Sequence, residues 1–123
     1  MTPEETVDAF MAAINSFDLA GATSLLADDC EYDNVPMGKV FGRETIHERL
    51  GPMMERCTEL EWITVRQAAT GPLVLNERLD RFHEAHGWIE MPCAGIFEVH
   101  DGKITLWRDY FDLATYRDQL AAR

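Results

Sequence analysis

Five residues of this chain have types that can carry or steer a proton: Tyr32, Asn34, Arg78, Asp80 and Asp109. Arg78 and Asp80 stand two apart in "NERLDRF", inside a segment that reads as a β-strand. Strands send alternate side chains to opposite faces, so this pair shares a face with Val74, Asn76 and Phe82. By the same rule "TLWRDYFD" sets Asp109 between Trp107 and Phe111 on one face of a later strand. A carboxylate among aromatic rings is costly to bury unless it is paired or hydrogen-bonded. Arg78 suits the task, because its guanidinium fork can serve two carboxylates at once. The candidate constellation is therefore Asp80–Arg78–Asp109, with Tyr32 and Asn34 joining from "YDN". Two carboxylates in different protonation states are the equipment of general acid–base chemistry. Periodicity alone leaves open whether this face is wet or dry. An Arg–Asp pair on a strand also suits a surface salt bridge, and Leu73, Leu75 and Leu79 on the opposite face suit packing against helices.

Other chemistries have weaker support. His83 and His86 have a ligand-like spacing but straddle an expected turn, and no HExxH or cysteine cluster joins them, so no metal is expected. His47 and His100 read as surface residues. There is no glycine-rich phosphate loop and no GxSxG nucleophile elbow. Cys30, Cys57 and Cys93 are odd in number and widely spaced, which fits reduced core cysteines in a cytoplasmic protein rather than a disulfide framework. The 22 acidic and 11 basic residues give a net charge of −11. That charge argues against nucleic acid and against anionic membrane surfaces as partners. No signal peptide is expected, and no apolar run approaches the ~18 residues of a spanning helix.

The elements that must position these residues follow from the pattern of apolar positions. At 123 residues the chain suits one domain, residues 1–123. "TPEE" signals a capped helix with Val7, Phe10, Met11 and Ile14 as its stripe. A short helix from Asp18 carries Leu19, Leu25 and Leu26. "CEYDNVP" reads as a short strand ending at Pro36, and "MGKVFG" as a loop. A third helix spans about 43–57, with Ile46, Leu50 and Met53 or Met54 inward and Gly51-Pro52 as a candidate kink. From Glu59 the period is two, which predicts strands near 59–69, 73–83, 87–99 and 103–112. "TGP" and "HDGK" supply turns, and "FHEAHGW" a hairpin tip. A last helix starts near Leu113 with Leu113, Tyr116 and Leu120 inward. Helices followed by antiparallel strands predict an α+β domain, one curved sheet against N-terminal helices enclosing a pocket.

Taken together, "YDNVP" at 32–36, "NERLD" at 76–80 and "GKITLWRDYFDL" at 102–113 resemble the limonene-1,2-epoxide hydrolase family. "FMAAI" and "FGRETI" extend the resemblance over nearly the whole chain. It implies a curved, mainly antiparallel mixed sheet with N-terminal helices and a C-terminal helix around a cone-like pocket, a fold shared with ketosteroid isomerases and polyketide-cyclase-like proteins. It further implies a homodimer that needs no cofactor and hydrolyses a small hydrophobic epoxide to a vicinal diol. By carry-over Asp80 is the general acid, Asp109 the general base and Arg78 the bridge. Tyr32 and Asn34 help Asp109 hold the water. Met11, Ile14, Met53, Trp62, Phe82, Met91, Cys93 and Phe111 fall near the family's pocket positions. Several differ in size from the limonene enzyme's residues, notably the aromatics Trp62 and Phe82, which argues against limonene oxide as the natural substrate. Two rival readings stand beside this one. Isomerase or cyclase chemistry would use Asp109 and Tyr32 but leaves the Arg78–Asp80 bridge without a role. A non-catalytic domain binding a hydrophobic ligand would leave all five polar positions without one.

Overall fold

The structure, a computed structural model, describes residues 1–122. Helix α1 (Pro3–Asn15) begins with a reciprocal capping box. Glu5 N donates to Thr2 Oγ1 at 3.1 Å, and Thr2 N donates to Glu5 Oε1 at 2.8 Å. Its stripe of Val7, Phe10, Met11 and Ile14 is buried. Asp18 caps α2 (Leu19–Ser24), then come β1 (Leu26–Asn34), β2 (Gly38–Phe41) and α3 (Arg43–Arg56). Four long strands follow: β3 (Glu59–Thr70), β4 (Leu73–Glu84), β5 (Gly87–His100) and β6 (Lys103–Phe111). Helix α4 (Leu113–Ala121) ends the described chain. The strands form one curved six-stranded sheet, in order β2-β1-β6-β5-β4-β3. Its pairs are antiparallel except β1 with β6. The expected α+β class and the four long strands are as predicted. No helix among the described residues is long and apolar enough to cross a membrane.

Four local expectations are corrected. "MGKVFG" contains strand β2, not a loop. Gly38 and Gly42, at φ +105° and +100°, bracket a four-residue segment too short to show a period. β1 starts at Leu26 rather than Cys30, and Leu25 is only the C-cap of α2. Exposed Asp28 and Asp29 conceal that strand start. α3 runs through Pro52, which lies on its exposed side. Leu120 is 42% exposed, so of the expected stripe of α4 only Leu113 and Tyr116 are half-buried.

The open question about the sheet's faces resolves against the leucine side. Val74, Asn76, Arg78 and Asp80 are buried, whereas Leu75 is 43% exposed. Helix α1 lies over the Arg78 face, where Phe10 meets Trp107 edge-on at 4.9 Å between ring centres. Alternation defines two faces but not which one receives the helix. Here the face with charges is the inner one.

Candidate active site

Strand register brings the polar residues together. On the inner face Asp109 of β6 lies beside Asn34 of β1 and beside Gly95 of β5. Gly95 in turn pairs with Asn76 of β4. Arg78, two residues on from Asn76, must therefore cross β5 to reach β6, a span of roughly 10 Å at the usual strand spacing. Gly95 makes the crossing possible. A Cβ there would overlap Arg78 Nη1 and stand 2.6 Å from Asn76 Oδ1. A glycine inside a strand commonly marks such a close approach.

Arg78 is 1% exposed, and its donors are committed. Nε and Nη2 grip Asp80 Oδ1 and Oδ2, each at 3.0 Å, as a bidentate fork. Nη2 also donates to Asp109 Oδ2 at 2.9 Å and stands 3.2 Å from Cys93 Sγ. Nη1 donates to Asn76 Oδ1 at 3.0 Å. The chain of donors continues outward. Asn76 Nδ2 donates to Gln67 Oε1 at 3.1 Å, and Gln67 Nε2 to Asp8 Oδ1 of α1 at 2.9 Å. Every link points away from the guanidinium and toward a carboxylate, which orients the amides and the arginine in turn.

Asp109 Oδ2 also accepts from Trp107 Nε1 at 3.1 Å, whereas its Oδ1 has no partner among the described residues. Tyr32 stacks on Trp107 with ring centres 3.8 Å apart. Burial pushes the Asp80 carboxyl above its usual range, against the opposing pull of Arg78's charge and hydrogen bonds. Burial alone would discharge Arg78, but Asp109 and Asp80 outweigh it and keep the guanidinium charged. Burial and the neighbouring Asp109 likewise keep the Tyr32 phenol protonated. Asp80, Cys93 and Asp109 bring ligand-type atoms within 4.8 Å of one another. The cation among them is Arg78, whose fork already occupies those acceptors.

A cavity of about 290 Å³ opens beside this cluster. Tyr32, Asn34, Asp80, Asp109, Met53, Trp62, Phe82, Met91, Cys93 and Phe111 all line it. Met11 and Ile14, expected in the wall, instead lie in the core beneath α1. Their helical stripe fits core and cavity equally well, so spacing cannot separate the two. Sequence reasoning missed Gly95, and with it the part of Asn76 in orienting Arg78. It also missed Arg49 and Arg56 of α3 and Glu84 of β4, which line the cavity although charges on such segments usually mark a solvated surface. The glycine in "CAGIF" was the available signal. His83 is engaged elsewhere, with Nδ1 2.7 Å from Thr58 Oγ1 and its ring edge-on to Trp88.

Known proteins resemble this chain throughout. The sequence pattern of the limonene-1,2-epoxide hydrolase catalytic domain matches residues 1–122. Epoxide hydrolase EphG of Mycobacterium tuberculosis is 37% identical over 107 residues, covering 87% of this chain and 71% of that protein. A solved structure of an M. tuberculosis LEH-like epoxide hydrolase superposes with a TM-score of 0.85 at 34% identity, over 96% of this chain and 88% of the other. A putative SnoaL-like polyketide cyclase from Shewanella denitrificans superposes with a TM-score of 0.90 over 98% of each chain. At 17% identity it shares the fold alone.

Proposed function

Because this chain belongs to the limonene-1,2-epoxide hydrolase family and is an epoxide hydrolase, we propose that it converts a hydrophobic epoxide to a vicinal diol in one step, with Asp80 as general acid, Asp109 as general base and Arg78 as their bridge. The observation that carries this reading is the bridge itself. One buried guanidinium holds both carboxylates, at 3.0 and 2.9 Å, beside a cavity walled largely by apolar side chains.

Opening an epoxide leaves an alkoxide, so the ring oxygen must be protonated as its C–O bond breaks. Asp80, whose carboxyl burial pushes above its usual range, gives that proton. The water that attacks the ring carbon loses a proton to Asp109. Asp109 takes that proton, and Tyr32 and Asn34, which line the cavity with it, orient the water. Each acid or base role contributes about 10²–10⁴-fold. Asp80 ends as a carboxylate and Asp109 as an acid, so the summed charge with Arg78 is the same before and after. A proton then passes back from Asp109 to Asp80 to reset the site. The reaction as written calls on no cofactor. Met53, Phe82, Met91, Cys93 and Phe111 form the apolar wall of the substrate site, with Trp62 beside them.

Single turnover in ¹⁸O-labelled water tests the one-step course. The label is expected in the diol. Label arriving first in an Asp80 or Asp109 carboxyl would mean an ester intermediate and would overturn the proposal.

The same proposal seats a homodimer on the outer sheet face. Ile63 of β3, Leu75 of β4 and, across β5, Tyr110 of β6 are exposed apolar residues on that face, of the kind an interface covers. Sedimentation equilibrium is expected to give a dimer at micromolar concentration, and Leu75→Glu to shift it to monomer. A monomeric parent protein would refute the assignment.

A further inference from the structure

We propose that Arg49 and Arg56 of α3 receive a carboxylate at the mouth of the cavity, so that the preferred substrate is an epoxide bearing an acid group set off from the ring by an apolar spacer. This rests on the epoxide hydrolase reading and narrows its substrate class.

These two arginines differ from most of the others. Arg43, Arg66, Arg81 and Arg108 each hold a carboxylate, and buried Arg78 holds two. Arg49 and Arg56 are exposed, and neither has an ion-pair partner among the described residues. With 22 acidic residues against 11 basic ones, carboxylates to pair with are plentiful. Yet both unpaired cations stand in the wall of one cavity. Arg117 of α4 is also exposed and without an ion pair, but it lies outside that wall.

Helix geometry explains how charged residues reach the cavity. α3 buries Ile46, Leu50 and Met54 in the core. Beside that stripe runs a second one, Arg49, Met53 and Arg56, at i, i+4 and i+7. All three line the cavity. Met53 therefore offers apolar surface between two cations that stand about two turns apart, roughly 10 Å along the axis. Arginine stems lie along apolar surface while their heads stay in water. An acid group thus meets the guanidinium groups at the entrance, without having to reach into the packed interior.

The charges of the wall favour an anion there. Arg78, ionised Asp109 and protonated Asp80 cancel one another. Glu84 is the remaining carboxylate of the wall, and it acts on the Tyr116 hydroxyl with a sign opposite to that of Arg56. Arg49 is left without an opposing charge. The protein as a whole carries −11 and repels anions. A preference for an acid must then come from these local cations. With its carboxylate held at the mouth, such a substrate lays its spacer along the apolar wall and its epoxide against Asp80 and Asp109.

The test compares epoxy acids with their methyl esters, using ω-epoxy acids of graded chain length and 3,4-epoxycyclohexanecarboxylic acid. The readout is the ratio of kcat/KM for acid over ester, taken within each protein so that losses common to both cancel. The ester is the more apolar ligand and carries no charge, so without the two arginines the ratio falls to one or below. Wild type is expected to favour at least one acid by about 10-fold at low ionic strength, mainly through KM, and added salt to shrink that ratio. The double variant Arg49→Gln/Arg56→Gln is expected to bring the ratio to one or below. Arg117→Gln removes the same charge outside the cavity and is expected to keep the wild-type ratio. A wild-type ratio of one or below for every pair, or one indifferent to salt, overturns the inference. So does a ratio that survives in the double variant, or that Arg117→Gln lowers equally. Each of these results leaves the hydrolase reading standing. No turnover of any acid or ester would instead bring down the hydrolase reading, and this inference with it.

Discussion

Asp109→Asn is expected to lower kcat/KM for every epoxide the enzyme hydrolyses by about 10³-fold or more, in a protein that stays folded. The amide has the shape of the carboxylate. Its oxygen can still accept from Arg78 Nη2 and Trp107 Nε1, which stand 2.9 and 3.1 Å from Asp109 Oδ2. Its NH₂ falls where Oδ1 has no partner among the described residues. On the proposed roles the first loss is the base, since an amide takes no proton from water. The second loss is indirect. After burial, the charge of Asp109 is among the influences that raise Asp80, while Arg78 works to lower it. Without Asp109 the arginine acts on Asp80 alone, and the acid is drawn back toward its usual range although burial still pushes it up. One substitution thus removes the base and weakens the acid. The double variant with Asp80→Asn is accordingly expected to be hardly slower than Asp109→Asn alone, as coupled residues are strongly non-additive. The same coupling gives wild type a high-pH limb. Because Asp80 must hold its proton, kcat/KM falls as pH rises through its raised pKa. Rates of diol formation across pH, with circular dichroism for the fold, decide the matter. Retention of a tenth of the activity in Asp109→Asn, or losses that simply multiply in the double variant, would count against the shared roles.

What the sequence revealed, and what it hid, divides along a physical line. Arg78, Asp80 and Asp109 were legible because charges sharing a strand face with Val74, Phe82, Trp107 and Phe111 break the local pattern, and such breaks mark functional sites. The four long strands were legible because period two persists for many residues between clear turns. The short β2 was not, since Lys39 and Val40 between two positive-φ glycines show no period. Which face of β4 is inner was not legible either. Leu73, Leu75 and Leu79 look as fit for the core as the other face, and only the placement of α1 decides between them. Whatever depended on pairing three strands was also hidden. The alignment of Asn76, Gly95 and Asp109 across β4, β5 and β6 sets the arginine's path. No local spacing encodes that alignment.

That alignment makes Gly95 as consequential as the carboxylates it serves, although it offers no side chain to the reaction. Gly95→Ala is expected to reduce kcat/KM by about 10²-fold or more and to destabilise the fold by ~1–3 kcal/mol. The added methyl would occupy space now held by Arg78 Nη1 and press on Asn76 Oδ1 at 2.6 Å and Phe97 Cε1 at 3.0 Å. Neither side can give way freely. Arg78 is tied to Asp80, Asp109 and Asn76, and Phe97 is fully buried with its ring parallel to that of Trp107. If the guanidinium lifts from β5, its bond to Asp109 lengthens first, because β6 is the far shore of the crossing. Two buried carboxylates would then face each other with a weaker cation between them, and the division into one acid and one base would fail. Ala94→Gly, one position away on the outer face, tests whether strand flexibility alone matters, and it is expected to leave the triad geometry and rates near wild type. Denaturant titration measures the stability loss. Rates taken well below the variant's unfolding transition separate it from the catalytic loss. A folded Gly95→Ala protein with full activity would mean that Arg78 need not cross β5 for the two aspartates to work together.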